Sequence, residues 1–175
     1  MQFSVVYGGS FDPFGRHHGA AVGWLLAQPD VDQVIVVPSY AHPEKDNAGM
    51  APFEDRHAMA RLALEFEDRA HVSSVEREMA AKGDVAYSYD VLKELELLYP
   101  HATLRMGVGP DLLDLENTWE KGVELMAEYG VYRIAHMGPL RATAIRAAAR
   151  ARTETWTSMV AFKVARHIQA HCLYR

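Results

Sequence analysis

Gly8-Gly9-Ser10-Phe11-Asp12-Pro13-Phe14-Gly15-Arg16-His17-His18-Gly19 is the stretch on which the reading of the fold turns. It follows a short apolar run, residues 3–7, that reads as a buried strand. It leads into small and apolar residues, 18–28, with Trp24 and Leu25 among them, that read as a helix packed on both sides. A strand that enters a glycine-rich turn and leaves as a helix is the first unit of an open α/β sheet. Ligands of such sheets bind at the carboxyl ends of the strands, so this turn is the first place to look for chemistry. Two adjacent glycines let the backbone approach a ligand with no Cβ in the way. The helix that follows points its free N–H groups back at the turn, which favours an anion.

Working outward, Val34-Ile35-Val36-Val37 is a second buried strand of the continuous type found in parallel sheets. Residues 38–52 carry Pro38, Pro43 and Pro52 with Asn47 and Gly49, a loop of about fifteen residues and therefore long enough to be functional. Residues 53–66 have helical spacing, with Met59, Leu62 and Phe66 on one face. Residues 71–75 are expected as a strand, 87–99 as an amphipathic helix stopped by Pro100, and 103–108 as a strand followed by Gly109-Pro110-Asp111 and a short helix. Residues 119–129 read as a helix ended by Gly130, and 131–135 as a strand. Pro139 then opens a helix from about Thr143, and 159–171 is helical again. Strands alternating with helices predict an α/β fold, a Rossmann-like doubly wound parallel sheet. No repeat or linker divides the chain, so residues 1–175 are expected as one domain, with a core over 1–150 and a C-terminal helical part over 151–175.

The 175 residues are enough for one complete core without staples. A formal net charge of −5 gives no electrostatic footprint for nucleic acid or an anionic membrane, so an anionic ligand must be held by a local cluster of donors. Cys172 is the only cysteine, which rules out an intramolecular disulfide and suits a reducing compartment. Its place four residues from the end mimics a prenylation box, but Arg175 is a poor final residue for one. No apolar run reaches the roughly 18 residues of a membrane helix, and no basic-then-apolar leader opens the chain. A cytoplasmic protein is expected.

The string Gly8–Gly19 resembles the signature loop of the nucleotidyltransferase superfamily, G-G-[ST]-F-D-P-x-H-x-G-H, which is related to class I aminoacyl-tRNA synthetases. Gly8, Gly9, Ser10, Phe11, Asp12 and Pro13 match in succession, and His18 falls on the second histidine. Gly15 stands where the family has its first histidine, and His17 stands where it has a glycine. Either His17 or Arg16 replaces the missing phosphate donor, or that contact is absent and the rate is lower.

Further segments are similar to nicotinate and nicotinamide mononucleotide adenylyltransferases. Val37 to Lys45 reads V-P-S-Y-A-H-P-E-K against the family's P-x-x-x-P-H-K, with Pro38, Pro43 and Lys45 matching. Arg56 and Met59 follow as in the family's next helix. Ala86 to Leu92, A-Y-S-Y-D-V-L, looks like S-Y-T-x-D-T-L, matching at Tyr87, Asp90 and Leu92 with Ser88 a conservative change. Gly109 to Trp119, G-P-D-L-L-D-L-E-N-T-W, places Asp111 and Trp119 on the family's aspartate and on the tryptophan eight residues beyond it. Leu140 to Arg146, L-R-A-T-A-I-R, resembles I-S-S-T-x-I-R at Thr143, Ile145 and Arg146, with Arg141 and Ala142 in place of two serines. Taken singly these segments read as a solvated lysine, an amphipathic helix start, a core tryptophan and a basic helix start; their order and register carry the resemblance.

The resemblance implies an adenylyltransferase of NAD biosynthesis that joins ATP to a pyridine mononucleotide, with Mg²⁺ carried on the phosphates. It implies that His18, helped by His17, contacts the α-phosphate, and that Arg146 and the backbone near Thr143 hold the β,γ-phosphates. Gly8, Gly9, Ser10, Phe11 and Gly109 would line ATP. Lys45 would reach phosphate from its loop, Asp111 the ribose, and Trp119 the pyridine. Tyr87 and Ser88 would complete the acceptor pocket, and Arg133 or His136 would take the family's pocket arginine. A sister enzyme with another phosphorylated acceptor, such as phosphopantetheine or a glycerol or sugar phosphate, and a non-catalytic nucleotide-binding module are the alternatives. No dedicated metal cage among the side chains is expected, and assembly into a homo-oligomer is left open.

Overall fold

Alternation along the strands decides the layering. In β2 (Val31–Pro38) every residue from Val34 to Pro38 is buried. Val34 and Val36 face one apolar cluster, Ile35 and Val37 the other. β1 (Phe3–Gly9) divides in the same way, with Val5 in the first cluster and Val6 in the second. A strand buried on both faces must be covered by helices on both, and each valine or isoleucine so buried contributes about 1.5–3 kcal/mol. The computed structural model describes residues 2–41, 49–110, 112 and 114–175.

With β3 (Ala70–Val72), β4 (Leu104–Val108) and β5 (Val131–Arg133), the sheet has the order β3-β2-β1-β4-β5, and every pairing is parallel. One face is covered by α1 (Arg16–Leu26), α2 (Phe53–Ala63), α7 (Ala142–Arg150) and α8 (Phe162–Ala170). The other is covered by α3 (Val75–Lys82), α4 (Ser88–Leu98), the short α5 (Leu115–Thr118) and α6 (Gly122–Glu128). The expected doubly wound α/β sheet is present. The chain steps outward from β1 through β2 to β3, then returns to lay β4 against the opposite edge of β1. The reversal opens a crevice at the carboxyl ends of β1 and β4, the position where open sheets bind ligands. No described helix is long and apolar enough to cross a membrane.

Three elements differ from the expectation. The strand expected over 71–75 ends at Val72, and the unexpected α3 starts at Val75. Ser73 Oγ accepts the Val75 N–H at 3.2 Å and the Ser74 hydroxyl donates to Glu78 at 2.7 Å, so local side-chain bonds turn the backbone out of the strand. Gly83 closes α3 in the left-handed region, φ +88°. The helix expected over 119–129 is split: Trp119 is extended, Lys121 has φ +54°, and α6 starts at Gly122. A Cβ at Gly122 would run into the Leu115 carbonyl, so a glycine there lets α6 fold back tightly on α5. Finally, the C-terminal stretch is no appendage. A 3₁₀ turn (Glu154–Met159) and α8 put Trp156, Val160, Val164, Ile168 and Tyr174 into the same apolar cluster as Phe11 and Phe14 of the glycine-rich turn.

One buried cation fastens the loops at the crevice. Arg56, on α2, is 1% exposed. Its Nε donates to the Ala51 carbonyl at 2.9 Å, one terminal nitrogen to Ser10 and Ser39, both at 2.7 Å, and the other to Tyr40 at 3.2 Å. Burial pulls the guanidinium below its ordinary range, and the Asp12 carboxylate opposes that shift. Glu76 accepts the Tyr40 N–H at 2.8 Å, so Tyr40 is gripped through both its amide and its carbonyl. Arg56→Met fills a similar volume but leaves four carbonyls without this donor. It is expected to lower unfolding free energy in urea by about 3–5 kcal/mol, the scale for removing one partner of a buried charged network. A loss under about 1 kcal/mol would show that the cation is not the fastener.

Candidate active site

The turn between β1 and α1 is built around a histidine that caps its own helix. Gly15 is the N-cap of α1, and its N–H donates to Nδ1 of His18, three residues on, at 3.0 Å. Accepting at Nδ1 leaves the proton of a neutral imidazole on Nε2, so the bond fixes the tautomer. The His18 ring is held on three sides, edge-on to Phe11 at 5.0 Å, against Phe14 at 5.2 Å, and against His17 at 3.8 Å between centroids. Burial, with a smaller contribution from His17, pushes its pKa down to about 3. His18 is therefore a neutral donor at physiological pH. Phe11, 2% exposed, is bent to φ +47°, a conformation uncommon for a bulky residue that costs about 1–3 kcal/mol.

His17 occupies the space that a side chain at position 15 would need. A Cβ on Gly15 would stand 2.7 Å from the His17 ring and 2.6 Å from Ile145 Cδ1. His17 Nδ1 is buried with no hydrogen-bond partner among the described residues. Its pKa is lowered, first by burial and then by the Arg141 guanidinium. Arg16, the other candidate for the missing donor, is turned away: its Nε donates to the Ser158 carbonyl at 2.7 Å.

The second basic segment meets this turn from across the crevice. α7 begins at Ala142 with Arg141 as N-cap and no side-chain cap, which leaves its first N–H groups free of intrahelical partners. Ile145 is fully buried against Gly15. Arg146 donates to the Asp12 carbonyl at 2.5 Å and stands 3.5 Å from its carboxylate. Asp12, 4% exposed, also accepts the Ala51 N–H at 3.2 Å and the Tyr174 hydroxyl at 2.5 Å. The glycine-rich turn and the helix start at Thr143 thus meet in space, with His17, His18, Thr143 and Arg146 around one turn. Arg146, expected to face phosphate, also braces Asp12.

The remaining expected residues divide between the two strand ends. Gly8 and Gly9 end β1 half-exposed, Ser10 is exposed beyond them, and Gly109 follows β4 across the crevice. Tyr87 is the N-cap of α4 and Ser88 its first residue. Trp119, half-buried at the end of α5, packs against the second apolar cluster. Arg133 ends β5 and donates to the Leu112 carbonyl at 2.9 Å. His136 is exposed and accepts the Gly138 N–H. Lys45, Pro43 and Asp111 lie outside the described residues. A groove of about 790 Å³ between α7, the 3₁₀ turn and α8, lined by Arg150, Arg152, Trp156 and Arg175 among others, contains none of these residues.

Comparison with known proteins shows the family and the fold. A cytidylyltransferase-like family model matches residues 6–148, the turn and the α7 start included. A probable nicotinate-nucleotide adenylyltransferase of Anaeromyxobacter sp. (strain K) is 33% identical over 98% of this chain and 96% of its own length. The chain belongs to the nicotinate-nucleotide adenylyltransferase family. Membership makes it an enzyme of the nucleotidyltransferase type. A second relative of the same name, from Anaeromyxobacter dehalogenans (strain 2CP-1 / ATCC BAA-258), is 32% identical with the same coverage. Among solved structures, a putative nicotinate-nucleotide adenylyltransferase from Vibrio parahaemolyticus superposes with a TM-score of 0.79 at 19% identity, over all of this chain and 96% of its own. The Plasmodium falciparum nicotinic acid mononucleotide adenylyltransferase complexed with NaAD superposes with a TM-score of 0.77 at 17% identity, over 99% and 98% of the two chains.

Three groups at this adenylyltransferase turn were not singled out as functional from sequence. Asp12 matches the motif without an assigned role, Arg56 matched only by register, and Tyr174 lies outside every motif. An arginine set on the apolar face of α2 was the one available signal.

The depressed pKa of His18 has a sign that can be tested. Its ordinary value of 6.5 applies to the unfolded chain, so the neutral folded form contributes stability fully above pH 6.5. That contribution is lost as pH falls toward 3. Between pH 7 and pH 5 the protein should lose about 1–2 kcal/mol more unfolding free energy than His18→Gln does. Equal losses in denaturant titrations at the two pH values would show that His18 titrates normally.

Proposed function

We propose that this chain joins ATP to nicotinate mononucleotide, releasing pyrophosphate and forming the dinucleotide precursor of NAD. The observation that carries the reading is the meeting of the His17–His18 pair with the start of α7, on the strand crevice of a chain whose relatives are named for this activity. The relatives' names favour the acid pyridine over the amide. Residues 1–175 act as one nucleotidyltransferase unit in this reading, with ATP and a small phosphorylated acceptor as ligands and with neither nucleic acid nor membrane as partner.

In the proposed reaction a 5′-phosphate oxygen of the acceptor attacks the α-phosphorus of ATP in line, and the bond to the bridging oxygen of pyrophosphate breaks. The attacking phosphate is already ionised, so no general base is needed. Catalysis is positioning, about 7–11 kcal/mol, plus donors aimed at the charge that develops. Nε2–H of His18 is assigned to the α-phosphate, with His17 beside it in place of the family's first histidine. The α7 N-terminus with Thr143, Arg141 and the outer face of Arg146 is assigned to the β,γ-phosphates. Gly8, Gly9, Ser10, Phe11 and Gly109 line the nucleotide, and Asp111 holds ribose. Trp119, Tyr87 and Ser88 receive the acceptor, with Arg133 near its pyridine, and Lys45 is assigned to phosphate. Asp12 is already surrounded by three donors and offers no seat to a cation, so Mg²⁺ enters on the triphosphate as part of the co-substrate.

Incubation with MgATP and, separately, nicotinate mononucleotide, nicotinamide mononucleotide or phosphopantetheine, with pyrophosphate and product assayed, tests the reading. Dinucleotide from the nicotinate acceptor is the expected result, and turnover only with phosphopantetheine, or none, overturns it. His18→Ala should cut kcat at least about a hundredfold.

Position 15 offers a sharper check. Gly15→His alone should lose activity, because its Cβ collides with His17 and Ile145. His17→Gly alone should lose about tenfold or more. The double change Gly15→His with His17→Gly removes the His17 collision, leaves only the end of the Ile145 side chain to shift, restores the family's histidine order, and should recover kcat to within about threefold of the unaltered protein. Full activity in His17→Gly would remove His17 from the mechanism.

A further inference from the structure

Away from the crevice, three side chains from two distant parts of the chain point at one another. His167 and His171 are four residues apart on α8 and just beyond its end, which places them on one face. Their rings stack at 4.0 Å with 28° between planes. Both aim a nitrogen at the same carboxylate oxygen of Asp55, on α2: His167 Nε2 lies 2.8 Å from it and His171 Nδ1 lies 2.6 Å. Asp55 and His167 side chains are 15% and 13% exposed, and His171 is half exposed. The three ligand atoms lie within 4.8 Å of one another.

We infer that Asp55, His167 and His171 form a binding site for one divalent ion of the zinc class. Two imidazole nitrogens and one carboxylate oxygen are the donor set that borderline-soft first-row cations prefer over Mg²⁺ or Ca²⁺. Ligands of a tetrahedral ion at about 2.0–2.2 Å stand about 3.3–3.5 Å apart, so modest side-chain adjustment closes the cluster around an ion. Two ligands are fixed by helix packing and mostly shielded, while the third, exposed, supplies the entrance and leaves room for a water.

The position gives the ion a structural role. Asp55 adjoins Arg56, whose guanidinium ties the loops of the crevice, and His171 precedes by three residues Tyr174, whose hydroxyl donates to Asp12. An ion here clamps α8 to α2 at the place where the C-terminal segment reaches the catalytic turn. The inference stands on these three residues alone and holds whichever acceptor the crevice takes.

The test uses the full chain, stripped with chelator, desalted, and titrated with Zn²⁺ by calorimetry and with Co²⁺ by visible absorption. The unaltered protein is expected to bind one equivalent saturably, to show the d–d bands of nitrogen-ligated Co²⁺, and to melt at a higher temperature with Zn²⁺ than without. Replacing even an outer partner of a metal ligand costs about 10–100-fold in affinity. His171→Ala, an exposed change that leaves the fold intact, and Asp55→Asn should therefore each weaken binding at least about tenfold. His101→Ala, an exposed histidine outside the cluster, should bind as the unaltered protein does. Absence of saturable binding, or less than a tenfold loss in His171→Ala, overturns the site.

Discussion

A single glycine-rich turn at the end of β1 is held in place by two buried charges, and the rest of the crevice is arranged around that constraint. From one side the Arg56 guanidinium takes the carbonyls of Ser10, Ser39, Tyr40 and Ala51. From the other, the Asp12 carboxylate takes the Ala51 amide and the Tyr174 hydroxyl, and Arg146 braces both its backbone and its side chain. Neither charge is idle in a low-dielectric interior: each is surrounded by dipoles or charge of the opposite sense, which makes its burial tolerable. The result is a turn fixed from both sides, which in the proposed reaction would present backbone and histidines to the nucleotide with little reorganisation.

This geometry also answers how a chain of net charge −5 would hold a triphosphate. The donors are concentrated rather than numerous. A neutral histidine with a locked tautomer, a second histidine packed against it, the uncapped start of α7 and the arginines flanking it share one small region. Neutral imidazoles packed at 3.8 Å avoid the repulsion that two imidazolium rings would suffer there, and burial keeps them neutral. Such donors gain strength from the same desolvation that depresses their pKa.

Much of the fold was legible because its signals are local. Val34 to Val37 could be read as a strand buried on both faces from four β-branched residues in a row, and the strand-turn-helix at Gly8–Gly19 announced the open sheet. The failures are equally physical. The serines at 73 and 74 turn the chain through side-chain bonds that compete with strand pairing, and the break at Trp119 depends on a glycine pressed against a carbonyl seven residues earlier. At the site, the histidines and Arg146 were readable from register. The bond from Tyr174 to Asp12 spans 162 residues and leaves no pattern in the chain, so the integration of the C-terminal segment with the turn could only be seen in three dimensions. The choice between Arg16 and His17 was likewise undecidable from spacing. It rests on where the Gly15 side chain is missing and which ring fills that space.

In the proposed reaction His18 is a neutral, tautomer-locked donor to phosphate, and ¹⁵N-histidine NMR of the whole chain reports on both its tautomer and its contact with nucleotide. At pH 5, correlation through the imidazole protons should show one ring with a bare Nδ1 and a protonated Nε2, and that Nε2 resonance should move on addition of a non-hydrolysable ATP analogue with Mg²⁺. A doubly protonated His18 ring at pH 5, or a resonance indifferent to millimolar nucleotide, would contradict it.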